Sequence, residues 1–248
     1  MAVIPNRVVV LSDVHGVLPA PEAVLAEPEV RDADAVVTGD IAAGPQPVEV
    51  LDALTALGDR VILVRGNADR ELLTPDSDIE VSRWAAGQLR DYHRELITAM
   101  PEQVVLSIPG PGDVLFCHAT PRDDTEVVLV DSRVERWDEV FFVLRDVIET
   151  VVCGHTHMPF ARIVAGRMVV NPGSVGMPYG RPGAHRALLG PGITLRRTEF
   201  DHDTACDRIS AESDFPGAAA WADEYVRARN LDVDALAVFG PMDGRVRR

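Results

Sequence analysis

The chain has 248 residues, 46% hydrophobic and 25% charged, with a formal net charge of −15 and a sequence pI near 4.8. That charge argues against nonspecific binding to long nucleic acid, whose phosphates it would repel, but a small anionic substrate stays compatible wherever bound cations reverse the local sign. No apolar run reaches the ~18 residues of a membrane-spanning helix, and Cys117, Cys153 and Cys206 lack C-x-x-C spacing, so a reducing, cytoplasmic setting without membrane partners is expected.

In chain order, short β-rich apolar runs alternate with helical segments. VVVLSD (8–13) reads as a first strand, entered without signal-peptide features. PAPEAVLAEPEV (19–30) reads as a helix broken by Pro28, and AVVTGD (35–40) as a second strand. PVEVLDALTALG (47–58) is a helix stopped at Gly58, followed by the strand VILVRGN (61–67). SRWAAGQLRDYHRELITAM (82–100) reads as the longest helix, with Ser82 as its cap and His93 on its surface. VLFCHAT (114–120) and VVCGHTH (151–157) are further strands, separated by a helix over RVERWDEVFFVLRDVIE (133–149). Past the Gly- and Pro-rich MPYGRPGAH (177–185), RALLGPGITLRRTEFD (186–201) reads as an antiparallel pair joined at Gly190-Pro191-Gly192. PGAAAWADEYVRARN (216–230) is helical. This alternation argues for an α/β fold. With no repeat or linker, a single domain over 1–248 is expected, residues 200–248 forming a C-terminal helical extension packed on it.

The apolar runs share one feature. Each ends at a side chain able to bind a metal: Asp13 and His15, Asp40, Asn67, His118, then His155 and His157. In an extended chain, residues i and i+2 point to the same side, so Asp13 and His15 are expected to converge. Ligands of open α/β sheets sit outside the carboxyl ends of the strands. Five strands thus deliver seven donors there, including four of the seven histidines. Two divalent ions ~4 Å apart can clamp both oxygens of a displacement at phosphorus. The mixed imidazole, carboxylate and amide set suits manganese, iron, zinc, cobalt or nickel better than an all-oxygen magnesium or calcium site.

The order Asp13-Val14-His15, Gly39-Asp40, Gly66-Asn67-Ala68-Asp69, His118 and Gly154-His155-Thr156-His157 resembles the calcineurin-like metallophosphoesterases. Asn171-Pro172-Gly173-Ser174 extends the likeness to their small prokaryotic phosphodiesterases. The resemblance implies a four-layer αββα sandwich and two divalent transition metal ions, manganese foremost. It implies that Asp13, His15 and His157 hold one ion, that Asn67, His118 and His155 hold the other, and that Asp40 bridges them. Asp40, Asn67 and His118 are the implied catalytic residues. The implied reaction is hydrolysis of a phosphodiester or phosphoanhydride bond, in a small molecule or nucleotide, by a metal-bridging hydroxide.

Many relatives carry a histidine after the G-N pair, where this chain has Ala68. Acid assistance from that position is therefore absent, and Asp69 is the nearest substitute, although it also reads as an orienting partner. Asn67, Arg122 and Arg181 are candidate substrate contacts, since a guanidinium can hold a phosphate bidentately. Ser174 could bind an anion or shape a turn, and His185 could reach the site. A dinucleoside polyphosphate hydrolase and a serine/threonine protein phosphatase are alternative activities. A non-catalytic metal-binding regulator or scaffold is the alternative from another class, and a homo-oligomer stays open.

Overall fold

The computed structural model describes residues 6–74 and 76–244. Strand β1 (Val8–Leu11) sets the architecture. Its four residues are fully buried, Val8 and Val10 on one face and Val9 and Leu11 on the other. A strand with two apolar faces needs a covering layer on each.

The layers follow from that demand. One sheet joins β1, β2 (Asp34–Thr38), β3 (Val61–Val64), β9 (Ala184–Leu189) and β10 (Ile193–Thr198) in the order β10-β9-β1-β2-β3. The second joins β4 (Gln103–Ile108), β5 (Gly112–Cys117), β6 (Thr150–Val152), β7 (Phe160–Val164) and β8 (Arg167–Asn171) in the order β4-β5-β6-β8-β7. Both are mixed: β1-β2-β3 and β5-β6-β8 run parallel, with antiparallel strands at one side or both. Val8, Val10, Val36 and Val64 of the first sheet meet Val114, Phe116, Val152 and Val170 of the second, so the sheets pack face to face.

Helices cover the outer faces. Val9, Leu11, Val37 and Leu63 pack against α1 (Pro19–Ala26), α2 (Pro47–Thr55), α4 (Glu80–Gln88), α5 (Asp91–Ala99), α7 (His202–Glu212) and α8 (Ala218–Tyr225) in one continuous core. The short α3 (Asn67–Glu71) follows β3 directly. Beyond the second sheet, Trp137, Val140 and Phe141 of α6 (Val134–Phe141) meet Leu115, Val151 and Cys153. The result is the expected αββα sandwich. A last helix, α9 (Asp232–Phe239), lies near the polar end of the strands.

Several local expectations need correction. The segment 82–100 is two helices, because Leu89 and Arg90 adopt extended ψ values of 131° and 163°. His93 explains the restart. Its Nδ1 accepts the Arg90 backbone N–H at 3.3 Å, and its ring is fully buried rather than on the surface. The helix over 133–149 stops at Phe141, and the chain turns until Ile148 re-enters the second core. Strands β4, β7 and β8 lie outside the elements expected from the sequence. β4 and β7 flank the second sheet, where alternate residues of β4 face solvent and weaken the apolar signal, and β8 buries only its last three residues. The hairpin around Pro191 is present as β9 and β10.

His93 Nε2 lies 3.0 Å from Asp52 Oδ1 and, with Nδ1 accepting, donates to it, tying α5 to α2; Tyr92 donates to the same oxygen at 2.7 Å. Partial burial raises the Asp52 carboxyl, but these hydrogen bonds outweigh it and hold the group below its ordinary 3.8. A depressed carboxyl contributes stability above its unfolded value and loses it as the pH falls through the folded one. Asp52→Ala leaves a buried donor unpaired and should cost about 1–2 kcal/mol at pH 7, or a Tm drop of a few degrees. Urea titrations should show the gap to wild type narrowing below pH 3.8. A gap that persists in acid would sink this account.

Candidate metal centre

All seven predicted donors come together where the carboxyl ends of the two sheets adjoin. Asp13, His15 and His157 form one group, and Asp40, His118 and His155 another, with one donor atom from each lying within 4.8 Å of the others in its group. His157 Nε2 is 3.3 Å from Asp13 Oδ1 and 3.2 Å from His15 Nε2. His118 Nε2 is 3.3 Å from Asp40 Oδ2. The groups meet at Asp40, whose Oδ2 is also 3.8 Å from His15 Nε2.

The backbone here is not extended. β1 ends at Leu11, and Asp13 and His15 have φ of 55° and 47°. Asp40, His155 and His157 share the left-handed conformation, with φ of 53°, 68° and 57°. Convergence of Asp13 and His15 therefore comes from a tight turn rather than from strand alternation. Each such residue costs about 1–2 kcal/mol, and Asp and His tolerate the region better than most. Backbone hydrogen bonds hold the turns: Asp13 N–H donates to Gly39 O, His15 N–H to Asp40 O, and Gly176 N–H to Asp13 O. Ser174 Oγ–H also donates to Asp13 O, at 2.7 Å, and accepts from Met177 N–H, so it serves the turn.

The Asp40 carboxylate is anchored on one side and open on the other. Ala68 N–H donates to Asp40 Oδ1 at 2.8 Å, which leaves Oδ2 facing both groups. His155 N–H donates to the Asp13 carboxylate at 3.1 Å. The imidazoles are oriented from behind. Nδ1 of His15, His118 and His157 lies 3.2, 2.7 and 2.9 Å from the carbonyls of Ala43, Thr38 and Met177, which places the protons there and turns the three Nε2 lone pairs inward. One terminal atom of the Asn67 amide sits 3.1 Å from both His118 Nε2 and His155 Nδ1. Asn67 Nδ2–H donates to Glu71 Oε1 at 3.4 Å, and Ala68 N–H is already taken by Asp40, so the amide oxygen points inward. Lone pairs thus face lone pairs across short distances. A cation resolves this arrangement, and the residues fit two divalent ions with imidazole, carboxylate and amide donors.

The protonation balance tells the same story. Burial pulls His118 down, but Asp40 beside it reverses this and holds the ring up to about 10. His157 is raised by Asp13 against the same burial. His155, with His118 as a neighbour, is pushed by burial down to about 4. Asp13 and Asp40 stay below the usual carboxylate range despite burial, through His157 and His118 respectively. The carboxylates thus draw positive charge onto the imidazoles facing them, charge that a bound cation would supply in place of protons.

The family model of the calcineurin-like phosphoesterase superfamily domain matches residues 7–190. The chain belongs to that superfamily. A solved metallophosphoesterase from Sphaerobacter thermophilus is 25% identical, with a TM-score of 0.70 over 87% of this chain and 99% of its own. A hypothetical protein from Pyrococcus horikoshii shares the fold at 21% identity, with a TM-score of 0.74 over 90% of this chain and 99% of its own. A search of curated proteins returned no match.

Against this phosphoesterase framework, the remaining candidates fall elsewhere. Arg122 lines a cavity beside His118, but its guanidinium is engaged by Glu126 and Glu139. Arg181 is exposed, and its carbonyl meets His185 Nε2. His185 is buried and packs its Cβ near Gly173 rather than reaching the donors. Asp69 is fully buried, accepting from Ile41, Ala42 and Gly66 N–H, and burial with Asp40 nearby pushes it up to about 7. It orients the loops that carry Asp40 and Asn67. Cys117 and Cys153 are buried, free and raised by burial, consistent with inert packing. The reading of the sequence missed Glu71 and the carbonyls of Thr38, Ala43 and Met177. A backbone carbonyl leaves no mark on residue identity.

Gly154 is needed for clearance. A Cβ there would lie 1.8 Å from Ser12 Oγ and 2.7 Å from Asp13 Oδ2. Gly154→Ala should displace the Asp13 carboxylate and weaken metal binding by roughly 10–100-fold, with circular dichroism unchanged. Wild-type metal content under limiting manganese would contradict this.

Proposed function

We propose that the protein is a phosphoesterase that hydrolyses phosphodiester or phosphoanhydride bonds of a small molecule or nucleotide at a binuclear metal centre. The observation that carries this reading is the Asp40 carboxylate, pinned through Oδ1 and presenting Oδ2 to two histidine groups at once. Asp13, His15 and His157 would hold one ion, Asn67, His118 and His155 the other, and Asp40 both. Divalent ions held there supply Lewis-acid activation of water and neutralise charge on the phosphoryl oxygens. Manganese is the ion we would expect first. The free, buried cysteines support a reducing compartment.

The chain's own residues do the positioning. The carbonyls behind His15, His118 and His157 fix their tautomers, and Glu71 keeps the Asn67 oxygen directed inward. Both oxygens of Asp69 are occupied by backbone donors, and Ala68 offers no proton, so neither assists the leaving group. Esters with good leaving groups are therefore the favoured substrates.

The test is hydrolysis of bis(p-nitrophenyl) phosphate and p-nitrophenyl phosphate by metal-stripped protein refilled with Mn²⁺. Diester turnover should require the metal. It should fall in Asp40→Asn by more than the roughly 10–100-fold typical of changing a ligand's hydrogen-bond partner. Metal bound without turnover of either ester would favour a non-catalytic regulator or scaffold instead.

A further inference from the structure

Two cavities open on opposite members of the donor set. One, of about 390 Å³, touches His118 and carries Arg70 and Arg122, each paired with acidic residues. The other, of about 370 Å³, touches His15, Asp40 and Asn67. Its lining is of another kind. Phe215, Trp221 and Tyr225 contribute aromatic surface, Ile79 adds aliphatic surface, and Glu71 and Glu80 add carboxylates. Among the described lining residues none is Lys or Arg. The three aromatics lie beyond residues 7–190, outside the superfamily domain.

The aromatic surface is preformed. Trp221 and Phe215 are buried to 9% and 7% exposure, Trp221 packs on Tyr225 with ring centroids 4.9 Å apart, and Phe215 on Trp84 at 5.5 Å. Rings fixed in this way offer apolar aromatic surface with little entropy left to lose on binding. A volume of about 370 Å³ falls in the range of small-molecule sites and suits one ring system rather than an extended chain.

Resting on the phosphoesterase reading above, we propose that this cavity binds one arm of the substrate diester and selects an arm with a flat apolar face and no negative charge. The phosphorus end of such an arm would sit at His15, Asp40 and Asn67, where the cavity meets the donors. An uncharged ring gains the aromatic contact, and a cationic one also gains Glu71, Glu80 and the ring faces. An arm bearing a second phosphate or a carboxylate meets Glu71 and Glu80 with no Lys or Arg among the described lining residues, which disfavours it. Helix α8 and Phe215 just before it thereby set substrate class. A polyphosphate chain finds no place on this side of the centre.

Binding of inert phosphinates to the Mn²⁺-loaded protein tests this by calorimetry, independently of turnover. Methylphenylphosphinate should bind roughly tenfold or more tighter than dimethylphosphinate. A 4-carboxyphenyl analogue should lose that advantage and regain part of it in Glu80→Lys. Tyr225→Ala should reduce the phenyl compound to the dimethyl level while dimethylphosphinate binding and Tm stay near wild type, and Trp221→Leu should do the same to the phenyl compound with a lower Tm, because Trp221 belongs to the core. Tyr225 is half-buried, so its variant keeps the test usable if Trp221→Leu unfolds. Equal binding of the phenyl and methyl compounds, or equal loss of both in Tyr225→Ala, would overturn the proposal. Phenyl selectivity without metal-dependent hydrolysis of any ester would instead retain the cavity and reject the hydrolase reading; hydrolysis without selectivity would do the reverse.

Discussion

A single buried carboxylate joins the two halves of this molecule. Asp40 sits at the end of β2 in the first sheet, yet its open oxygen faces His118, which follows β5 in the second. Its other oxygen is held by the N–H of Ala68 after β3. Removing charge from water at this depth is costly unless it is paired and hydrogen-bonded. The surrounding loops are arranged to meet that demand, and the packing of sheet on sheet keeps them in register.

The loops reach their positions only through conformations that most residues avoid. Five of the seven donors are left-handed, and they persist because backbone hydrogen bonds between neighbouring loops over-determine them. Close approach adds a second constraint. Gly66 lies so near Asp40 that a Cβ would come within 2.2 Å of Oδ1, just as Gly154 clears Asp13. The glycines beside the donors therefore belong to the geometry of the site as much as the donors do. Rigidity of this kind lets a centre keep its shape while lone pairs confront one another.

Around the centre, the two flanks differ in character. The His118 side carries arginines already neutralised by acids, whereas the His15 side is aromatic and acidic. Tyr179 and Phe239 add rings beside His157 and His155, with centroid separations of 6.1 and 5.9 Å. The residues beyond the superfamily domain thus contribute packing to the core and also aromatic surface next to the donors. A net charge of −15 over the whole chain is compatible with anion chemistry at one point, because a cation held by these donors would reverse the sign there.

The strands were legible because burial on both faces turns them into continuous apolar runs, and the donors were legible because each interrupts such a run at its end. β4 and β7 were not, since flanking strands carry mixed patterns, nor was the short β8, and the break at Leu89 was not, since His93 caps the second helix through a contact no periodicity records. The buried place of His93 depended on Asp52, 41 residues away in sequence. The sequence by itself determined the chemical inventory: which oxygens and nitrogens stand at the strand ends, and in what order. Only the tertiary structure decided that they lie on two sheets rather than one, that turns rather than strand alternation aim them, and that Arg122 is engaged by acids while Glu71 orients Asn67. The reason is physical. Residue type sets what a side chain can donate or accept, but distance and direction come from packing between segments far apart in the chain.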